Sequence, residues 1–347
     1  MPRKERVVHP VIRLVMFVAL FGAVCRASNA CTIFMASDGQ TVLAGNNEDW
    51  SDPSCFIWLR PATENKHGRV VVGFRNGYAQ GGMNEHGLFF DGAWTEHHEL
   101  APDAARPAPP TSLLDDMLAS CATVDEAIAY LDGFDVPWFA DGIVFLADRS
   151  GASAIYEGDA VVRGDGKWQV CTNFRQSART AEQAGCDRAP KIASLVGDPI
   201  DQGEHATVQL IREALIATHA EGEYATKYSC VYDLTKGDVH LYADHNYEVE
   251  VRFNLAEQLA KGEREILIPT MFEDGVSKDL AKDPIPHWNT RCPLSGTRID
   301  ATAAFDHADK RLYFCCIECA RRAYEEPDRW IEKVYGSEHD APPSGKR

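Results

Sequence analysis

From Cys31 to Tyr78 apolar residues come in short runs separated by polar turns, the spacing of strands. Strands are predicted over Thr32–Met35, Thr41–Ala44, Phe56–Leu59 and Val70–Phe74, with another at Leu88–Asp91 after the turn Glu85-His86-Gly87. The Pro- and Ala-rich stretch 101–110 must be a loop. Helical spacing follows over Ser112–Cys121 and Val124–Asp132, with Thr111 and Thr123 placed as N-caps. Strand-like runs return at Gly142–Ala147, Ala152–Glu157 and Trp168–Cys171. Helices are predicted at Ile192–Val196 and Thr207–Ala217, and a hairpin, Cys230–Leu234 with Val239–Tyr242, turns at Lys236-Gly237-Asp238. A strand at Val249–Phe253 and a short helix at Leu255–Lys261 complete this part. Strands grouped with strands, and helices grouped between them, predict a layered α+β domain over 31–268, not alternating βαβ units. Prolines and charges mark 269–288 as a linker, 289–335 as a small cysteine-rich module and 336–347 as a disordered tail. No internal repeat and no phosphate-binding glycine loop is present.

The first thirty residues read as a leader. Arg3, Lys4, Arg6 and Arg13 flank an apolar run, Leu14 to Val24, too short to span a bilayer, and Ser28-Asn29-Ala30 offers a signal-peptidase site. Cleavage after Ala30 predicts an exported chain, periplasmic or extracellular, whose first residue is Cys31. Lipidation of that cysteine is the rival outcome, but Ser28 stands where that pathway wants a Leu-like residue. No later segment suits a membrane helix. The formal net charge of −17 gives no counterion-release affinity for phosphates and argues against a nucleic-acid partner.

Composition adds the chemistry. A cysteine at a new N-terminus carries a thiol nucleophile and an α-amine that titrates at about 7.7–8.0 when unperturbed, so one cut assembles nucleophile and base. Of the 11 cysteines, Cys25 leaves with the leader. Cys55, Cys121, Cys171, Cys186 and Cys230 read as buried thiols, while Cys292, Cys315, Cys316 and Cys319 cluster near the end.

Cys31-Thr32-Ile33-Phe34, then Leu43-Ala44-Gly45-Asn46-Asn47-Glu48-Asp49-Trp50, resembles the start of mature choloylglycine hydrolases, penicillin V acylases and isopenicillin N acyltransferase-like proteins. Gly82-Met83-Asn84-Glu85-His86-Gly87-Leu88 resembles their second motif, Val170-Cys171-Thr172-Asn173-Phe174 their third, and Tyr228-Ser229-Cys230-Val231-Tyr232-Asp233 a late strand of some members. The ordered set spans Cys31 to about Pro269. It implies an N-terminal-nucleophile (Ntn) hydrolase: an αββα sandwich of antiparallel sheets that cleaves a linear, non-peptide C–N amide bond without a catalytic cofactor. By resemblance, Cys31 is the nucleophile, Asp49 holds its amine or the substrate's, Asn84 and Asn173 supply an oxyanion hole, and Arg188 closes around the nucleophile; Arg175 and Arg179 have equal chemical ability. Members usually carry Gly-Arg-Asn where this chain has Gly45-Asn46-Asn47, so the guanidinium that would meet an anionic substrate is missing. His86, His97 and His98 read as solvated histidines, not as a metal site.

Cys292, then Cys315, Cys316 and Cys319, with Tyr313-Phe314 before the pair and Glu326-Pro327-Asp328-Arg329-Trp330 after it, resembles the YHS/TRASH group of metal-binding modules. It implies Zn(II) or Cu(I) on Cys292, Cys315 and Cys319, with Cys316 or His307 as the fourth ligand. A disulfide is the alternative in an exported chain. The implied partners are a small-molecule amide substrate and a metal ion, with neither nucleic acid nor an integral membrane segment once the leader is gone; a homo-oligomer is compatible. Acyl transfer to an amine, and a metal-handling protein built on an inert scaffold, stand as the competing functions.

Overall fold

The protein is described by a computed structural model over residues 31–74, 77–273, 275–280, 289, 291–297, 299–307 and 310–335. The expected leader, residues 281–288 of the expected linker and the expected tail lie outside the described residues.

Ten strands come before the long helical stretch: β1 (Thr32–Ser37), β2 (Val42–Asp49), β3 (Cys55–Arg60), β4 (Arg69–Phe74), β5 (Ala79–Asn84), β6 (Phe89–Trp94), β7 (Gly142–Ala147), β8 (Ser153–Tyr156), β9 (Val161–Arg163) and β10 (Trp168–Cys171). After it come β11 (Thr226–Asp233), β12 (Asp238–Ala243), β13 (Asn246–Asn254), β14 (Arg264–Leu267) and β15 (Lys278–Asp279). They form two sheets, β10-β1-β2-β11-β12-β13-β15 and β14-β3-β4-β5-β6-β7-β8-β9. All pairings are antiparallel except β13 with β15.

Three apolar clusters fix how the layers stack. Ile33, Met35 and Ala44 of the first sheet meet Ile57, Val72 and Phe145 of the second. The outer face of the first sheet (Phe34, Leu43, Val231) packs on Ile192 and Val196 and on Ile211 and Leu215 of the helix Val208–Thr218. The outer face of the second (Phe56, Phe90, Leu146) packs on the helices Leu113–Ser120 and Val124–Leu131. Because both faces of each sheet are covered, adjacent residues such as Ile33 and Phe34 are both buried, one facing each layer. The α+β class and the αββα sandwich expected from the sequence are what the chain adopts.

Three local differences have physical reasons. β5 was not predicted because Ala79-Gln80-Gly81-Gly82-Met83-Asn84 has no apolar run; its glycines let β4 and β6 come close, and a Cβ at Gly82 would lie 2.3 Å from the Val70 carbonyl oxygen. β2 continues through Gly45-Asn46-Asn47-Glu48-Asp49, polar residues that read as a turn yet are all buried. The chain also does not leave the sandwich at 268: Met271 and Leu280 belong to the inter-sheet core, and β15 pairs with β13. The first half of the expected linker is therefore part of the body.

The last segment pairs β16 (Asp300–His307) with β17 (Lys310–Phe314) and adds the helices Ile317–Tyr324 and Pro327–Tyr335 around Cys292, Leu312, Phe314 and Ala323. Among the described residues no helix is long and apolar enough to cross a membrane.

Candidate active site

Strand register assembles the site around Cys31. β1 pairs with β2 as Thr32↔Asn47, so Cys31, one residue earlier, faces Glu48. On the other side β1 pairs with β10 as Ile33↔Cys171; continued two residues, this register sets Asn173 opposite Cys31. The thiol is 4% exposed and donates to Glu48 Oε1 at 3.4 Å. Burial, and then the carboxyl groups of Glu48 and Asp49, push it well above its ordinary range, while a backbone N–H of Asp49 acts in the opposite direction.

Alternation along β2 divides the acids. Glu48 points between the sheets. Asp49 points to the helical layer, where Arg188 Nη1 donates to its Oδ2 at 3.0 Å and Thr226 Oγ1 to its Oδ1 at 2.5 Å. Burial still pushes Asp49 up to about 7, against the pull of Thr226 and Arg188. Of the three arginines the sequence could not separate, Arg188 is the one on Asp49. Arg175 is held by Glu157 and Asp159, and Arg179 by Glu96.

Two acids were missed by sequence reasoning. Glu48 and Asp91 are both buried between the sheets, and burial, before any neighbouring charge, pushes both well above the carboxylate range. Asp91 fits because Gly81, its register partner, has no side chain; a Cβ there would lie 2.4 Å from Asp91 Oδ2. Both Asp91 oxygens, Glu48 Oε2, both Asn46 amide atoms and the hydroxyls of Tyr228 and Tyr232 are buried and make no hydrogen bond. Burying such a group without a partner costs about 1–3 kcal/mol, so polar atoms packed between the sheets weigh against stability. A signal existed for Asp91: in Leu88-Phe89-Phe90-Asp91 it shares the inward face of Phe89.

Asn173 and Arg188 line one hollow of about 280 Å³ with Trp94, Arg179 and Cys186. Asn173 spends one N–H on the Trp94 carbonyl at 2.7 Å. A larger hollow of about 700 Å³ lies by the 97–106 loop and contains no thiol; the smaller one is chemically relevant because Arg188 links it through Asp49 to Cys31. Asn84 is a correction. Its Nδ2 donates to the carbonyls of Leu118 and Cys121 at 2.8 and 2.7 Å, and its Oδ1 accepts from the N–H groups of His86 and Leu88. Both amide protons are spent on holding a turn against a helix end, so none is available to an oxyanion.

At the other end of the chain, the thiols of Cys292, Cys315 and Cys319 lie within 4.8 Å of one another, with Cys315 and Cys319 3.6 Å apart. A tetrahedral Zn(II) with bonds of 2.3 Å needs sulfurs about 3.8 Å apart, so the spacing fits a thiolate-bound ion. All three are free thiols, which leaves the disulfide alternative unformed. Hydrogen bonds from Ser295 and Thr297 lower Cys315, whereas desolvation and its neighbours push Cys319 up to about 12. Of the two candidate fourth ligands, the exposed Cys316 thiol lies 3.9 Å from that of Cys315, and His307 meets Asp328 through Nε2 at 2.7 Å.

Fold and site thus define an α+β sandwich with a buried thiol at the head of a central strand. No protein-family model and no curated protein matches the chain. Among solved structures it is similar to penicillin V acylase from Agrobacterium tumefaciens, at 18% identity over 64% of this chain and 84% of that one, TM-score 0.48. It is also similar to two variants of conjugated bile acid hydrolase from Clostridium perfringens, at 12% and 15% identity, covering 69% and 70% of this chain and 93% of each of those, with TM-scores of 0.46 and 0.45.

Proposed function

We propose that this protein is an exported cysteine hydrolase of linear C–N amides, made competent when residues 1–30 are removed. The observation that carries the reading is that Arg188, which lines the hollow, is held by Asp49, whose backbone N–H and charge both act on the Cys31 thiol, while the β1–β10 register, run two residues past its last pair, brings Asn173 to the same end. The thiol sulfur attacks the amide carbonyl, forming a C–S bond. Its proton passes through the base to the leaving nitrogen as the C–N bond breaks, and water then hydrolyses the thioester to release the acid. Burial pushes the thiol, Glu48 and Asp91 all upward, toward their protonated forms. The α-amine freed at Cys31 supplies the base, and Asp49 orients it. Asn173 offers an N–H to the tetrahedral oxyanion.

The test is intact and N-terminal mass analysis of the exported protein with a slow amide or β-lactam probe. The expected result is a chain beginning at Cys31 that gains one acyl group, with no gain in Cys31→Ala. A chain starting elsewhere, a lipidated amine or labelling that survives Cys31→Ala would overturn the mechanism.

We also propose that the C-terminal module holds one Zn(II) or Cu(I). The mutual approach of three thiols supports this reading, with Cys292, Cys315 and Cys319 as ligands and the ion acting as a staple for a core too small to be secure alone.

A further inference from the structure

His67 precedes β4, and His86 lies in the turn between β5 and β6. Because β4 pairs with β5 as Arg69↔Asn84, the two histidines meet just past the ends of their strands. His86 Nε2 lies 3.0 Å from His67 Nδ1, with ring centroids 4.2 Å apart and planes at 77°. Glu85 completes the group: one ligand atom from each of His67, Glu85 and His86 falls within 4.8 Å of the others. Glu85 Oε1 also accepts from the Gly68 N–H at 2.7 Å.

The frame is rigid. Asn84 Oδ1 binds the N–H groups of His86 and Leu88, and the Glu85 N–H donates to the Gly68 carbonyl at 2.8 Å. Gly87 at φ +79° closes the turn, where a Cβ would lie 2.3 Å from the Leu234 carbonyl oxygen. The four hydrogen bonds that remove Asn84 from catalysis thus hold these side chains together.

We propose that His67, Glu85 and His86 form a second metal site, for a divalent first-row ion such as Zn(II), separate from the terminal thiols. Two imidazole nitrogens facing each other at this distance cannot both carry a proton. Without metal, one ring's N–H points into the other's lone pair. An ion that replaces that proton sits to one side of the N···N line and takes a lone pair from each ring, and the carboxylate offsets its charge. Zn–N bonds of 2.0–2.1 Å put tetrahedral nitrogens about 3.3 Å apart, so the rings keep nearly their present spacing and turn until both lone pairs face the ion. Both histidines are half-buried and Glu85 is exposed, so an ion can enter from solvent. Three protein ligands leave one position for water or an incoming ligand. The site lies at the opposite end of β6 from Trp94 and the hollow by Cys31, about 17 Å away along the strand. The sequence-based grouping with His97 and His98 does not form: those two are bound to Asp141 and Asp159.

The experiment uses the full chain without a histidine tag, stripped of metal, in a Cys292→Ser, Cys315→Ser, Cys319→Ser background, titrated with Co(II) by calorimetry and visible absorbance. We expect one equivalent bound, with d–d bands but no sulfur-to-cobalt charge-transfer band, and affinity at least ~10-fold weaker in His67→Asn or His86→Asn. No uptake in the triple-serine background, or uptake unchanged in His67→Asn, overturns the site. If the histidine variants do not fold, Glu85→Gln decides: it keeps an acceptor for Gly68, and unaltered Co(II) affinity in it removes this site.

Discussion

At the scale of single residues, the carboxyl of Asp49 sets the pH behaviour. Its value near 7 means that Asp49 gains a proton, and loses its pairing with Arg188, as pH falls through neutrality. The proposed amidase activity should therefore rise across pH 6–8, and Asp49→Asn should be slow at every pH without that limb, as measured by kcat/KM against pH. Asn84→Ala has a different signature. It strands two buried carbonyls and two N–H groups, and should cost about 3–4 kcal/mol in urea unfolding. The fraction that stays folded should acylate at the normal rate. Cys31 and Asp49 stand out in the sequence as candidates because the chemistry of a new N-terminus and the order of motifs both point to them. Glu48 was not, because an acid in Gly-Asn-Asn-Glu-Asp reads as solvated until the pairing of β1 with β2 and of β2 with β11 buries it. Asn84 misled because an amide in a Gly-bounded turn carries the same letters whether it serves an oxyanion or the backbone.

At the scale of elements, apolar periodicity recovered most of the strands that fill the inter-sheet core and the three longer helices of the sandwich, but not β14, whose four residues show no alternation although Ile266 lies in that core. It failed where polar residues lie inside, in the second half of β2 and in β5. Caps were partly legible. Thr123 Oγ1 accepts from the Glu126 N–H as expected, so Thr123→Ala should cost about 1 kcal/mol. Thr111 was expected to cap the preceding helix, but Ser112 occupies the cap position without a side-chain bond. That helix is instead fixed to the sheet by Asp115, which takes Arg69 Nε at 2.7 Å and also pairs with Arg60. Both Arg69 and Asp115 are buried, so Asp115→Ala leaves an unpaired guanidinium and should destabilise by about 3–5 kcal/mol, read by denaturant midpoint.

At the scale of the whole molecule, three raised carboxyls, Glu48, Asp49 and Asp91, tilt stability with pH. Each holds its proton in the folded state to a higher pH than in the unfolded chain, whose acids titrate near 4. Above that, the folded state binds more protons, so stability falls as pH rises and, for Asp49, levels off above about 7. Thermal midpoints should decline from pH 5 to pH 8, and Asp91→Asn should flatten the decline. The body also ends later than its composition suggests. A chain cut after 280 should keep a cooperative transition, whereas one cut after 268 loses Met271 and Leu280 from the core and should not fold, as read by circular dichroism. Gly81 and Asp91 carry a consequence for descent. One position must stay bare for the other to hold an acid between the sheets. Gly81→Ala should be damaging alone and rescued by Asp91→Ala. Across lineages the two positions should then co-vary, a side chain appearing at 81 only where the acid at 91 has been lost.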